Sequence, residues 1–271
     1  MGTKGAACAT IFSQGISFVI AVIHLKRKNF VFDFQLPHFS IKTHKLAAIL
    51  KVGLPTAVQM VVVNLSYLLI TGMLNQFGVS VAAASGVGLK INTFAGMPCW
   101  AIGQAVTAMA GQNIGAGDTK RVRKTTKTGL CLNLLITLTM VLLVQAFGEQ
   151  LILLFTPASP EMITEGILYL RICCSVNSLV YAAMYTFESF AIGIGSANIA
   201  MINALLDAVI VRLPVSWLLA FPCGLGFPGV YIGQALSPLL PAVVGLLYFK
   251  SKGWENKRIL RQHSRTYHTK I

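Results

Sequence analysis

The sequence predicts an all-α integral membrane protein of about seven transmembrane helices, one leading helix followed by a six-helix bundle. Three observations predict it. Hydrophobic residues make up 55% of the 271 residues and charged residues only 11%, against about 25% charged in a typical soluble domain, and mean hydropathy is +0.70. Apolar runs of about 20 residues, the length that crosses a bilayer, recur along the chain. The formal charge of +14 is also gathered rather than spread: six, five and seven of the 22 Lys and Arg fall within residues 26–51, 120–127 and 250–270. A nucleic-acid binder would instead carry a basic patch or stripe across a folded face, so no nucleic-acid partner is expected.

The candidate spans are 5–25, 53–74, 84–110, 128–147, 164–187, 197–221 and 228–249. The first follows MGTK like a signal peptide, but it lacks a small-residue cleavage site. It runs through AVIHL into Lys26-Arg27-Lys28, the pattern of a span with a basic stop. Residues 26–52 are long and basic and contain Pro37, which predicts a cytoplasmic linker before the bundle of 53–250. The second span opens Gly53-Leu54-Pro55, where a proline suits a helix start. Between spans three and four stands GQNIGAGDTKRVRK, Gly111 to Lys124. Its glycines have no GK[ST] after them and no strand before, so they do not form a phosphate cradle. They predict a tight turn instead. Span three ends near Gly111, Gly115 and Gly117 take positive φ, and Asp118 caps the next helix. Arg121, Arg123, Lys124 and Lys127 then face anionic lipid head groups.

Placing 26–52 inside makes the later connections alternate. Loop 111–127 and the tail from 251 to 271 fall inside, and 148–163, with Glu149 and Glu161, falls outside. All three basic windows then share the cytoplasmic face of a cell membrane, with the C-terminus inside. A chain beginning outside leads to the expectation that helices upstream are missing.

Polar groups inside spans are the functional candidates. Asn64, Tyr67, Thr71 and Asn75 fall on one helical stripe, near Gln59. Thr93, Trp100, Gln104, Thr107 and Gly111 form a second. Asn177, Tyr181, Tyr185 and Glu188 form a third, and Asn203, Asp207 and Pro214 a fourth. Four such stripes predict a hydrated cavity; singly, each Asn, Ser or Thr is interhelical hydrogen-bond glue. Asp207 is a candidate for proton or cation coupling, or else half of a structural ion pair. Arg212 is the obvious partner, but five residues is about 140° around an α-helix, so their faces diverge. Arg171 meets an anionic partner or lines the cavity, and Glu188 sits near a helix end where snorkelling explains it. The six cysteines contain no CxxC and no His at ligand spacing, and read as small buried hydrophobes. GxSxG and HExxH are absent, and no enzyme activity, cofactor or metal is expected.

Several stretches resemble the multidrug and toxic compound extrusion (MATE) transporters: LKVGLPTAVQM at 50–60, NQFGVSVAAASGVG at 75–88, AVTAMAGQNIGAGDTKRVRK at 105–124, IGIGSANIAM at 192–201, VRLPVSWLL at 211–219 and GFPGVYIGQALS at 226–237. The GQNIGAGD stretch, with Gly111, Gln112, Gly115 and Gly117, is the most specific. The resemblance implies a NorM-like antiporter of two six-helix lobes that exports cationic drugs against Na⁺ or H⁺. Residues 1–25 then correspond to the last helix of the N-terminal lobe and 53–250 to the C-terminal lobe. The implied partner is the missing lobe or a second half. The acidic pair of the family's C-lobe sodium site falls at Val63 and near Tyr181, where no acid stands, so Asp207 and Glu188 are this sequence's own alternatives. A non-transporting remnant, a half that needs a second polypeptide, and a flippase for lipid-linked substrates are the competing expectations.

Overall fold

The computed structural model describes residues 2–27, 43–155, 159–251 and 253–255. Among these residues the regular elements are all helical. The chain divides into two compact units, residues 1–47 and 48–271. The first contains α1 (Gly2–Arg27), whose Ala7–Leu25 stretch is long and apolar enough to cross a membrane. Most of the expected linker and tail lies outside the described residues. α2 (Thr43–Asn75) starts ten residues before Gly53, so residues 43–52 are helix and Pro55 lies inside it.

In the second unit α2 is followed by α3 (Val79–Ala116), α4 (Thr119–Ala146), α5 (Gly148–Phe155), α6 (Pro160–Cys173) and α7 (Val176–Gly193). α8 (Ala197–Leu205), a π-helical segment (Leu206–Arg212) and α9 (Leu213–Ala220) form one span, and α10 (Phe227–Leu236) and α11 (Leu239–Lys250) another. α3 and α7 are the central pair. α3 packs on α4, α6 and α7, while α7 also meets α4, α8 and α11. Their approach requires glycine: a Cβ on Gly193 would lie 2.6 Å from the Thr107 carbonyl oxygen.

Among the described residues five helices can cross a membrane by length and mean hydropathy, or six if α6 and α7, bent by 49°, count as one. The seventh expected span is α3. Its 38 residues are long enough, but Lys90, Asn92, Gln104 and its glycines lower its hydropathy. The span expected over 164–187 is in fact the α6–α7 pair. Asn177 holds the break: its Oδ1 accepts from the Ser175 amide and hydroxyl, and its Nδ2 donates to the Cys173 carbonyl.

The loop expected at 111–127 shrinks to two residues. Gly111, Gln112 and Gly115 all lie within α3, and Gly117 alone leaves the helix, at φ 89°. Asp118 accepts from the Arg121 amide at 2.8 Å and caps α4, as expected. Lys120 to Lys127 therefore ride on the first turns of α4 rather than on a loop.

Two apolar cores pin the bundle. One gathers Ile70, Leu74, Tyr169, Leu170, Ala220 and Tyr231 among others. The second gathers Val106, Val122, Phe187, Phe190, Phe249 and Trp254. Cys99, Cys173 and Cys174 are buried, but Cys8, Cys131 and Cys223 are exposed, against the expectation that the cysteines are interior.

Candidate ion and substrate site

The polar residues meet where α2, α7, the π-helical segment and α10 converge. α2 turns the face of Gln59, Ser66, Ile70 and Leu74 inward, with Ser66, Ile70 and Leu74 almost fully buried. The predicted stripe of Asn64, Thr71 and Asn75 lies beside this face and is exposed. Asn64 and Thr71 bond only to carbonyls one turn back in their own helix, at Met60 and Tyr67. That is the usual fate of a polar side chain with no neighbour to bond.

Glu188 corrects its expectation most sharply. It lies inside α7, five residues before its end, and is 4% exposed. Gln59 Nε2 donates to its Oε2 at 3.1 Å, and no Lys or Arg among the described residues pairs with it. On the same face of α7, Tyr181 and Tyr185 stack with centroids 6.2 Å apart. Trp100 of α3 donates its Nε1 to the Tyr181 hydroxyl at 3.2 Å. Gly103 leaves room for Tyr185, since a Cβ there would collide with its ring.

Asp207 and Arg212 form a direct ion pair, Oδ2 to guanidinium, at 2.5 Å, with side chains 4% exposed. In an α-helix their faces would diverge. The π-helical segment closes its hydrogen bonds from i to i+5, which brings residues five apart onto one side. Arg212 also donates to Ser66 at 3.0 Å and to Ser237 at 3.3 Å, and its guanidinium lies 4.4 Å over the Tyr67 ring. The Asp207 carboxylate is within electrostatic reach of Glu188. The cluster therefore sets two buried carboxylates against one guanidinium. Asp207 Oδ1, Asn203 Oδ1, Gln59 Oε1 and Gln234 Nε2 are buried without a hydrogen-bond partner.

Not every candidate joins it. Asn203 is fully buried and donates to the Pro241 carbonyl. Asn177 serves the helix break, and Arg171, Gln104 and Pro214 are exposed. Missed from sequence were Ser66 and Ser237, whose hydroxyls look like ordinary helix residues. Asn133 of α4 was missed too; it donates to Thr186 at 2.9 Å and fixes the opposite side of α7. The sequence signal for Ser66 was its spacing of seven from Gln59, two helical turns on the same face.

A family model, MatE, matches residues 55–218. Among curated relatives, "Probable multidrug resistance protein YpnP" of Bacillus subtilis is 29% identical, covering 97% of this chain and 58% of the relative. "Probable multidrug resistance protein NorM" of Thermotoga maritima is 28% identical over 96% of this chain and 55% of its own length. The chain thus spans little more than half the length of these relatives. Among solved structures, the outward-facing conformation of a MATE family transporter of the MOP superfamily superposes with a TM-score of 0.83 at 22% identity, over 91% of this chain and 55% of that one. The MATE transporter ClbM in complex with Rb⁺ gives 0.79 at 20% identity, over 95% and 57%.

Proposed function

Because this chain belongs to the MatE family, we propose that it forms part of a secondary-active exporter of drugs and organic cations, driven by Na⁺ or H⁺ moving the other way. The observation that carries this reading is Glu188. It is a buried carboxylate without a counter-charge among the described residues, next to an Asp–Arg pair that is already balanced. An ion so placed in a low-dielectric interior must be neutralised by a proton, a metal cation or a cationic ligand. A group that each of these can neutralise in turn is what antiport needs. The unpartnered Gln59 Oε1 adds an oxygen ligand of the kind that hard cations prefer. The Tyr181 and Tyr185 rings, on the same face of α7 as Glu188, and the Trp100 ring of α3 that bonds Tyr181 offer π-faces to an organic cation.

In this reading residues 53–250 act as one lobe, residues 1–25 as the last helix of the other, and 26–52 and 251–271 as cytoplasmic segments. Rocking of two lobes around a shared site is a common basis of alternating access, so a complementary lobe is the expected partner. Its length relative to YpnP and NorM supports this.

The test uses the purified chain in detergent micelles and ethidium, a planar cation whose fluorescence rises on binding. Na⁺ or protons should displace ethidium competitively. Glu188→Gln should weaken ethidium at least tenfold, or about 1.4 kcal/mol, and abolish the competition. Its fold should persist, because a glutamine oxygen still accepts from Gln59. Wild-type binding and competition in Glu188→Gln would refute the proposal.

A further inference from the structure

Arg212 has a place that the exchange reading does not use. The guanidinium is 4% exposed and held from three sides: by Asp207 within its own segment, by Ser66 and the Tyr67 ring from α2, and by Ser237 after α10. Every contact is to a fixed neighbour, and the π-helical register puts the pair on one side. Beside the guanidinium stand Asp207 and the phenols of Tyr67 and Tyr181, and Glu188 lies within electrostatic reach of Asp207. One carboxylate is satisfied by a cation that is covalently part of the chain; the other is not.

We propose that Arg212 is a tethered counter-cation that occupies Asp207 permanently and so limits the site to one exchangeable charge, carried at Glu188. The inference rests on the exchange reading above and deepens it. Without the guanidinium, Asp207 would face the same requirement as Glu188. Its free Oδ1 would then help receive a second cation. Arg212 is thus a positioning residue for stoichiometry, not a ligand of the exchanged ion.

The experiment measures cation stoichiometry on the purified full chain. Radioactive sodium is followed by equilibrium dialysis, and proton uptake by an indicator dye in weak buffer. Summed cation uptake should correspond to a single site in the wild type, lost in Glu188→Gln. Arg212→Gln should double it, and the extra uptake should survive Glu188→Gln in the double variant. Asp207→Asn/Arg212→Gln restores a neutral pair and should return the count to the wild-type value. It also serves as the folding control, since a merely structural Arg212 would leave stoichiometry unmoved. Wild-type stoichiometry in Arg212→Gln overturns the inference even if Glu188 still binds. Uptake in Arg212→Gln that is insensitive to Glu188→Gln, with none in the wild type, upholds the tethered cation but removes Glu188 as the exchange residue. Failure of Arg212→Gln to fold while Asp207→Asn/Arg212→Gln folds upholds the need for a cation at Asp207, and Arg212→Lys must then keep the single site. Doubled uptake in Arg212→Lys refutes the proposal.

Discussion

Arg212 and Asp207 show what a single buried charge demands. With both present, each charge has a partner within hydrogen-bond distance and neighbouring hydroxyls bond the remaining donors. Removing one partner leaves the other ionised in a space closed to water, a loss of about 3–5 kcal/mol, while replacing both with neutral groups is often near neutral. Asp207→Asn should therefore lower the melting temperature in micelles far more than Asp207→Asn/Arg212→Gln. A double variant as unstable as Asp207→Asn would mean that hydrogen bonding to Ser66 and Ser237, not charge balance, holds the pair. Asp207 and Arg212 could be named from sequence as an unusual charge pair, because apolar runs contain few charges. Their contact could not, because α-helical arithmetic places them on divergent faces. Glu188 was misplaced for a related reason: the expected span ended at 187, so a residue well inside α7 looked like a helix end.

At the scale of elements, sequence and structure agree where local chemistry decides and part where packing decides. Gly117 and Asp118 were legible because a left-handed φ favours glycine and an unbonded helix N-terminus favours a carboxylate cap. The same glycine-rich reading overreached at Gly111 and Gly115, which remain in α3. A glycine pattern does not distinguish a turn from a helix that needs a smooth face. The distinction appears only with the partner helix: a Cβ at Gly111 would sit 3.2 Å from the Gly193 carbonyl oxygen, and one at Gly193 would sit 2.6 Å from that of Thr107. The π-helical segment and the Ser175 break likewise have no motif: the first is held by the bonds of Arg212 to Ser66 and Ser237, the second by the bonds of Asn177 to Ser175 and Cys173. Two glycine substitutions should accordingly have opposite signs. Gly193→Ala forces α3 and α7 apart and should cost about 1–3 kcal/mol, as overpacking does. Gly72→Ala, in α2 with nothing within 4 Å, should be neutral or stabilising by up to about 1 kcal/mol. Melting curves of the two variants would check both, and a Gly193→Ala chain as stable as Gly72→Ala would disprove the close-packed α3–α7 seam.

For the molecule as a whole, the contacts bear on how the chain sits in a bilayer. The start of α4 and the end of α11 meet: Arg123 bonds Glu255 at 2.6 Å and the Phe249 carbonyl at 3.3 Å, and lies over the rings of Phe249 and Trp254. The basic start of α4 therefore meets the end of α11 at one end of the bundle, with Lys120, Arg121, Lys124, Lys127 and Lys250 exposed there. At the opposite end of α3, Ser80 bonds Glu165 of α6 at 2.8 Å, close in the chain to Glu161. A helix of 38 residues is about 57 Å long and overshoots a hydrocarbon core of about 30 Å, so both ends of α3 project toward water. Clustered Lys and Arg bias their end to the cytoplasm. The six native cysteines are first replaced, and single cysteines are then placed at Val79, which is 87% exposed, and at exposed Lys124. In intact cells a membrane-impermeant maleimide should label the cysteine at 79 and leave that at 124 unlabelled until the cells are permeabilised. The reverse pattern would invert the molecule and place the basic end of α4 outside. Equal labelling of both sites in intact cells would mean that charge does not fix its orientation.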